Sequence, residues 1–169
     1  MRAKFLPSLL CACILLAVVM SKVEEAAAMP AKEAAVWGLC KNAFGLIGGA
    51  GVMGNIAVET GGSFDYQQRQ HNNGPGYGLF QFEKPMRGDY NAYLKAHSAS
   101  DSAASQVNYV KDQLQHGKYI GAGHAKKIRD AFASGDVVKA TTEFCNRFER
   151  PGVPHLANRI AAAKKYAAM

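Results

Sequence analysis

The chain has 169 residues, a formal net charge of +7 and 49% hydrophobic residues. That length predicts one domain, and past the first 20 residues no apolar run is long enough to cross a membrane. The basic balance predicts attraction to polyanions. The lysines and arginines are spread out, without the aromatic-interleaved stripe of single-strand binders, which speaks against nucleic acid. Bacterial walls are anionic too, and charge alone does not choose between them.

Arg2 and Lys4 precede the apolar run Phe5 to Met20, and Ala26-Ala27-Ala28 offers a small-residue cleavage site. Residues 1–28 therefore read as a secretory signal peptide and 29–169 as one secreted, monomeric domain. Val19-Met20-Ser21 offers a second cleavage site. Removing the leader takes away Arg2, Lys4 and Lys22 with Glu24 and Glu25, which leaves a net charge of +6. Cys11 and Cys13 leave with it. In an oxidising compartment the remaining Cys40 and Cys145 are expected to pair as a disulfide.

Helical spacing of apolar residues predicts a helix over 31–42 (AKEAAVWGLCKN). Residues 101–115 (DSAASQVNYVKDQLQ) predict another, capped by Asp101. Ile128, Ala131 and Phe132 share one face of a helix over 125–133. Asp136 caps the next, which runs to about Glu149, and Pro154 opens a last one toward Tyr166. Between residues 60 and 82, glycine, asparagine and proline cluster (HNNGPGYG), which predicts a small β-hairpin or irregular lobe. The expected class is α+β, mostly α. Trp37 and Phe44 are expected in the core. Arg87-Gly88-Asp89 is a chance tripeptide expected to open a helix.

Residues 48–65 (GGAGVMGNIAVETGGSFD) contain the letters of a G-x-G-x-x-G nucleotide fingerprint. That motif needs a preceding strand and an acidic residue about 20 positions on. Phe44 to Ile47 is too short for the strand, and His71, Asn72 and Asn73 stand where the acid is needed. A helix over 48–59 fits better, with Val52, Met53, Ile56 and Ala57 on the apolar stripe. Gly51 and Gly54 let a neighbouring backbone come close, and Gly61-Gly62 stops the helix. Glu59 then lies at a helix C-terminus near Phe64, Tyr77 or Phe80. The negative end of the macrodipole and desolvation both favour the protonated carboxyl that a general acid needs.

"GNIAVETGGSFD", "GPGYGLFQFEK" and "FERPGVPHLANRIAAAKKYA", in that order, resemble the phage-tail-type lysozymes. The first two blocks are also similar to goose-type lysozymes and lytic transglycosylases. The resemblance covers about Val36 to Tyr166. It implies a lysozyme-like fold that cleaves the β-1,4 bond between N-acetylmuramic acid and N-acetylglucosamine in peptidoglycan, without a metal or cofactor. It implies Glu59 as the catalytic proton donor, with Thr60 where serine is usual. Tyr77, Gly78, Leu79 and Gln81 match the strand that lines the sugar cleft. Phe82 stands where the tail-type pattern has tryptophan. Glu83 falls where goose-type enzymes carry a water-positioning aspartate, and their other helper aspartate would fall near Asn72.

Glycoside hydrolysis commonly uses two carboxyl groups across one bond. Candidates for the second are Asp65, Glu83 and Glu149. Asp65 sits where an Asx turn is expected, and Glu149, between Phe148 and Arg150, reads as an ion pair or helix-end contact. Glu83 is therefore preferred. Five scattered histidines without a ligand pair predict no zinc site. A non-catalytic cationic wall-binding protein on the same fold, a lytic transglycosylase and a chitin-cleaving enzyme remain the alternatives.

Overall fold

The computed structural model describes residues 28–169. The expected leader, Cys11 and Cys13 fall outside them but for Ala28. Six α-helices follow in order: α1 (Ala31–Glu59), α2 (Lys84–Ala96), α3 (Ala103–His116), α4 (Ala122–Ala133), α5 (Val137–Phe144) and α6 (Leu156–Ala167). The protein is mostly α. No helix among the described residues is long and apolar enough to cross a membrane.

α1 is two helices joined at Gly45, whose φ of 75° and ψ of 178° interrupt the helix. A residue with a side chain adopts that backbone only with strain. The second half, from Gly48 through Ile56, is continuously buried. It runs through the middle of the fold and packs most extensively on α6 and α5. The glycine-rich letters therefore serve helix packing. A Cβ on Gly51 would come within 3.0 Å of Thr141 N in α5. One on Gly54 would lie 2.7 Å from Ala163 Cβ in α6 and would also strike the Arg159 carbonyl oxygen. Gly54→Ala is expected to force α6 outward and to destabilise the fold by about 1–3 kcal/mol, the usual cost of overpacking. Urea unfolding of the two proteins measures it.

The predicted helix boundaries hold at Asp136, which accepts from Val138 N and Lys139 N at 2.8 and 3.1 Å. They shift at α3, where Ser102 is the N-cap, accepting from Ser105 N at 3.0 Å. Asp101 instead accepts hydrogen bonds from the hydroxyls of Tyr77 and Tyr90. α2 is the helix that the tripeptide Arg87-Gly88-Asp89 belongs to. Its parts are used internally: Asp89 accepts from Tyr109 and Gln113, and the Arg87 guanidinium lies 4.2 Å from the centre of the Tyr77 ring.

The lobe over residues 60–82 contains no strand. One antiparallel bridge joins Arg69 to Tyr77, with a 3-10 turn at His71–Asn73 between them. The ladder does not extend because Gly78 and Gln81 adopt φ of 78° and 44°, which curls the chain into turns (Phe82 N to Tyr77 O, 2.8 Å). The lobe is irregular, and the strand expected over Tyr77 to Gln81 is a turn.

Trp37 and Phe44 behave as expected of core residues, against Tyr166 and Phe132 respectively. Phe82, 1% exposed, packs among Phe80, Tyr90 and Tyr109. The ring at the usual tryptophan position is thus part of the core. Cys40 and Cys145 are both buried free thiols, where a disulfide between them was expected. Burial pushes both thiols up, away from the thiolate.

Candidate active-site cleft

Glu59 is the last residue of α1. The helix stops there because Gly61 and Gly62 take φ of 57° and 82°, and Gly62 N closes back on Ala57 O at 2.9 Å. Thr60 is 2% exposed, bonds Ile56 O through its hydroxyl at 2.7 Å and accepts from Phe64 N. It finishes the helix and does not line the cleft.

The Glu59 carboxylate faces a cleft of about 500 Å³. Its Oε1 accepts a hydrogen bond from Arg159 Nη2 at 2.7 Å. Arg159, from the first turn of α6, is 2% exposed. Its remaining donors reach Pro154 O at 2.7 Å, Asn55 Oδ1 at 3.0 Å and Asn55 O at 3.4 Å. Asn55 in turn donates to Gly51 O and Thr141 O. This buried lattice joins α1, α5 and α6 and fixes the Glu59 side chain from behind.

The π turn Cys145–Glu149, closed by Arg150 N to Cys145 O at 2.8 Å, follows α5. It brings Phe148 and Glu149 into the cleft wall. The extra residue of such a turn re-aims the side chains that follow it, a device frequent at functional sites. Glu149 is not ion-paired, contrary to the expectation. Its neighbours are committed elsewhere: Arg147 to Glu143, and Arg150 to the carbonyls of Arg147 and Ile120. Glu149 Oε1 is buried without a hydrogen-bond partner. Burial, and then the negative charge of Glu59, push this carboxyl well above the usual range, while Arg159 pulls it down by less. Burial thus favours the neutral form of Glu149 over the carboxylate.

That shift makes stability depend on pH. The folded chain holds the Glu149 proton more tightly than the unfolded chain, so over this window the folded state binds more protons and stability falls as pH rises. The stabilising contribution is complete below the ordinary glutamate value of about 4.3 and is lost as pH rises through the folded value. Glu149→Gln mimics the neutral form at every pH. Its melting temperature is expected to exceed that of the wild type by a margin that grows from acid to neutral pH. Thermal melts across that range measure the difference.

The other expected site residues divide. Glu83 lies just before α2, exposed, in the cleft lining, with no side-chain cap bond. Gln81 also lines the cleft, its amide donating to Gly78 O at 2.8 Å. Leu79 is fully buried core, and its N–H donates to Gln106 Oε1 at 2.9 Å. Gly78 is buried against the Gln106 side chain, where any Cβ would collide. Tyr77 is tied to Asp101 and stands outside the cleft lining. Asp65 is paired with Lys32 at 2.7 Å and forms the expected Asx turn with Gln67 N. Both contacts hold its carboxyl below the usual range.

Three contributors were not singled out from the sequence. Tyr119, 38% exposed, presents an aromatic ring to the cleft. Gln70 lines it from the irregular lobe. Arg159 had a legible signal: it shares a helical face with Ala163 and Tyr166, both buried, and a charged residue on such a face needs a partner.

The cleft can therefore present two glutamates of different environment, one bound to a guanidinium and one buried without a hydrogen-bond partner at Oε1, beside the exposed Glu83. Its remaining walls combine amides with the apolar surfaces of Phe80, Met86 and Tyr119, a mixture suited to a polar chain with apolar ring faces. A family model described as phage tail lysozyme matches residues 32–169. Neither a curated protein nor a solved structure matches the chain.

Proposed function

The chain belongs to the phage tail lysozyme family, and from that membership and the cleft we propose a muramidase that hydrolyses the β-1,4 bond between N-acetylmuramic acid and N-acetylglucosamine. The family carries a peptidoglycan-lytic, lysozyme-like activity. The observation that supports the finer reading is Glu59, fixed in the cleft wall by a guanidinium buried behind it.

In this reading a glycan strand lies in the cleft with its glycosidic oxygen against Glu59. Tyr119 packs against a sugar face, and Gln70 and Gln81 hydrogen-bond its hydroxyl or acetamido groups. Glu59 in its acid form donates a proton to the glycosidic oxygen as the bond to the anomeric carbon breaks and its electron pair moves to that oxygen. Water then attacks the anomeric carbon and returns one proton to the site carboxylates, so the sum of the reaction is one water added across one bond. Glu83, exposed on the cleft rim, is placed to orient that water. Proton transfer by a positioned carboxyl contributes about 10²–10⁴-fold.

The same reading places the protein outside the cell, with residues 1–28 as its leader, acting as a monomer in defence against bacteria or in their digestion. Its basic charge would draw it to anionic walls. The test is loss of turbidity in a suspension of purified bacterial walls. Clearing is the expected result. Binding to the walls without clearing would instead make this a non-catalytic cationic wall binder.

A further inference from the structure

Tyr77 lies outside the cleft lining, yet the fold fixes its ring through a shared carboxylate. Its hydroxyl donates to Asp101 Oδ2 at 2.5 Å, while Tyr90 and Gln106 donate to Asp101 Oδ1 at 2.6 and 3.1 Å. Gln106 is itself anchored, donating to Tyr66 O at 2.8 Å and accepting from Leu79 N at 2.9 Å. The network ties the irregular lobe to α2 and α3 and holds the Tyr77 ring in one place.

What the ring carries is two guanidiniums. The Arg87 Cζ lies over it at 4.2 Å from its centre, and the Arg69 Cζ at 5.7 Å. Arg87 comes from the first turn of α2. Arg69 stands opposite Tyr77 in the antiparallel bridge. A guanidinium held on an aromatic face by cation–π attraction keeps the donors at its edge for an anion. Here those donors lack a carboxylate: none of the ion pairs among the described residues involves either arginine. Asp101 has both oxygens engaged by Tyr77, Tyr90 and Gln106. Glu83 precedes Arg87 by one helical turn and is not paired with it.

The place of the two cations points to their use. Gln70, next to Arg69, and Met86, next to Arg87, both line the cleft. Neighbouring Cα atoms are about 3.8 Å apart, so the arginines flank the cleft rim from the lobe and from α2. Arg150, in the lining itself, is bonded to the carbonyls of Arg147 and Ile120. An anion on the substrate therefore finds open guanidinium donors beside the cleft.

We propose that Arg69 and Arg87, stacked on Tyr77, form a shelf beside the cleft that binds carboxylates of the peptide stem carried by N-acetylmuramic acid. The proposal rests on the muramidase reading and deepens it, because it names what the site selects: a peptide-bearing glycan over a bare one. In peptidoglycan that acidic peptide hangs from the lactyl ether of the sugar and projects away from the glycan chain. A strand seated against Glu59 fills the cleft with sugars and carries its peptides over the rim. A chitin-type strand has no such group. Two forks on one ring can each hold a carboxylate or clamp one between them, through the charge-assisted paired bonds that suit a planar anion. The contact is away from the breaking bond, so it is the same in the ground state and the transition state. It lowers KM and leaves kcat unchanged.

The test is the double variant Arg69→Gln with Arg87→Gln, whose amides keep a planar group on the ring and remove both charges. Two soluble glycans of matched length are compared, one with its peptide stems intact and uncross-linked, the other stripped of them by an amidase. On the peptide-bearing strand the KM of the variant is expected to rise about three- to tenfold, the range of one or two partly exposed ion pairs, with kcat unchanged. On the stripped strand neither constant moves. The preference of the wild type for the peptide-bearing strand is expected to shrink with added salt. Equal losses on both glycans, or none on either, would overturn the proposal and leave the arginines as structural partners of Tyr77. Thermal melts check the fold, and Arg69→Gln alone, at an exposed position, carries the comparison if the double variant is unstable. Calorimetric binding of the same two glycans, made in the Glu59→Gln background so that nothing is consumed, needs no turnover. Should the wild type fail to clear walls, the muramidase reading falls, and the calorimetry still decides the shelf: equal affinity for the two glycans would sink it.

Discussion

Glu59→Gln is expected to lower kcat for wall cleavage by about 10²–10⁴-fold, the contribution of a positioned general acid, while KM changes little and the protein stays folded. The isosteric amide keeps an oxygen for Arg159 Nη2, now 2.7 Å from the carboxylate. The guanidinium also retains Pro154 O and Asn55 Oδ1, so the lattice behind the cleft survives the change. What is lost is the proton and the charge. Steady-state kinetics on soluble glycan strands separate the two constants, and circular dichroism checks the fold. A KM effect with unchanged kcat would make Glu59 a binding residue.

Arg159→Ala is expected to be the most damaging single substitution to stability. Removing one partner of a buried ion pair costs about 3–5 kcal/mol, against a total that for most domains is about 5–15 kcal/mol. Here the loss spreads. The Glu59 carboxylate loses its cation, Asn55 Oδ1 loses its donor at a site with 0% exposure, and the Pro154 carbonyl before α6 is released. The same bonds join α1 to α6, so Glu59 loses its orientation as the fold weakens, and cleavage falls with it. Arg159→Lys is not expected to rescue either property. A lysine ammonium is a compact point charge, where the fork reaches four acceptor atoms on three residues. Urea unfolding, followed by activity below the transition, measures both effects.

Local rules carried the reading of the sequence as far as local rules reach. Gly61-Gly62 marked the end of α1, and with it the placement of Glu59, because left-handed backbone after a helix is a property of a few adjacent residues. The Asp136 cap was legible for the same reason. The irregular lobe was only half legible. Gly78 announced a turn, but Gln81 gives no sign that its φ is 44°, and that residue turns an expected strand into a curl. Phe82 and Leu79 fit a cleft-lining pattern by letter, yet the tertiary packing of Tyr90, Tyr109 and Gln106 draws them inward.

The pairing of Glu59 with Arg159 and the isolation of Glu149 were beyond a one-dimensional reading. They depend on which faces of α1, α5 and α6 meet, and the ion pair joins residues 100 positions apart. The small residues that allow that meeting were visible at Gly51 and Gly54. Which backbone would fill the space was not. Glu83 keeps its place on the cleft rim, while Asp65 is occupied with Lys32. Glu149, a candidate second carboxyl that the sequence read as an ion pair or helix-end contact, lines the same cleft as Glu59 and Glu83.

The most direct test of the account is mass spectrometry of muropeptides released from purified sacculi by the wild type, with Glu59→Gln digested in parallel. The account predicts fragments ending in a hydrated, reducing N-acetylmuramic acid from the wild type and almost none from the variant. The same fragments in equal yield from both proteins would contradict it, and anhydro-muramic ends would show a transglycosylase in place of a hydrolase.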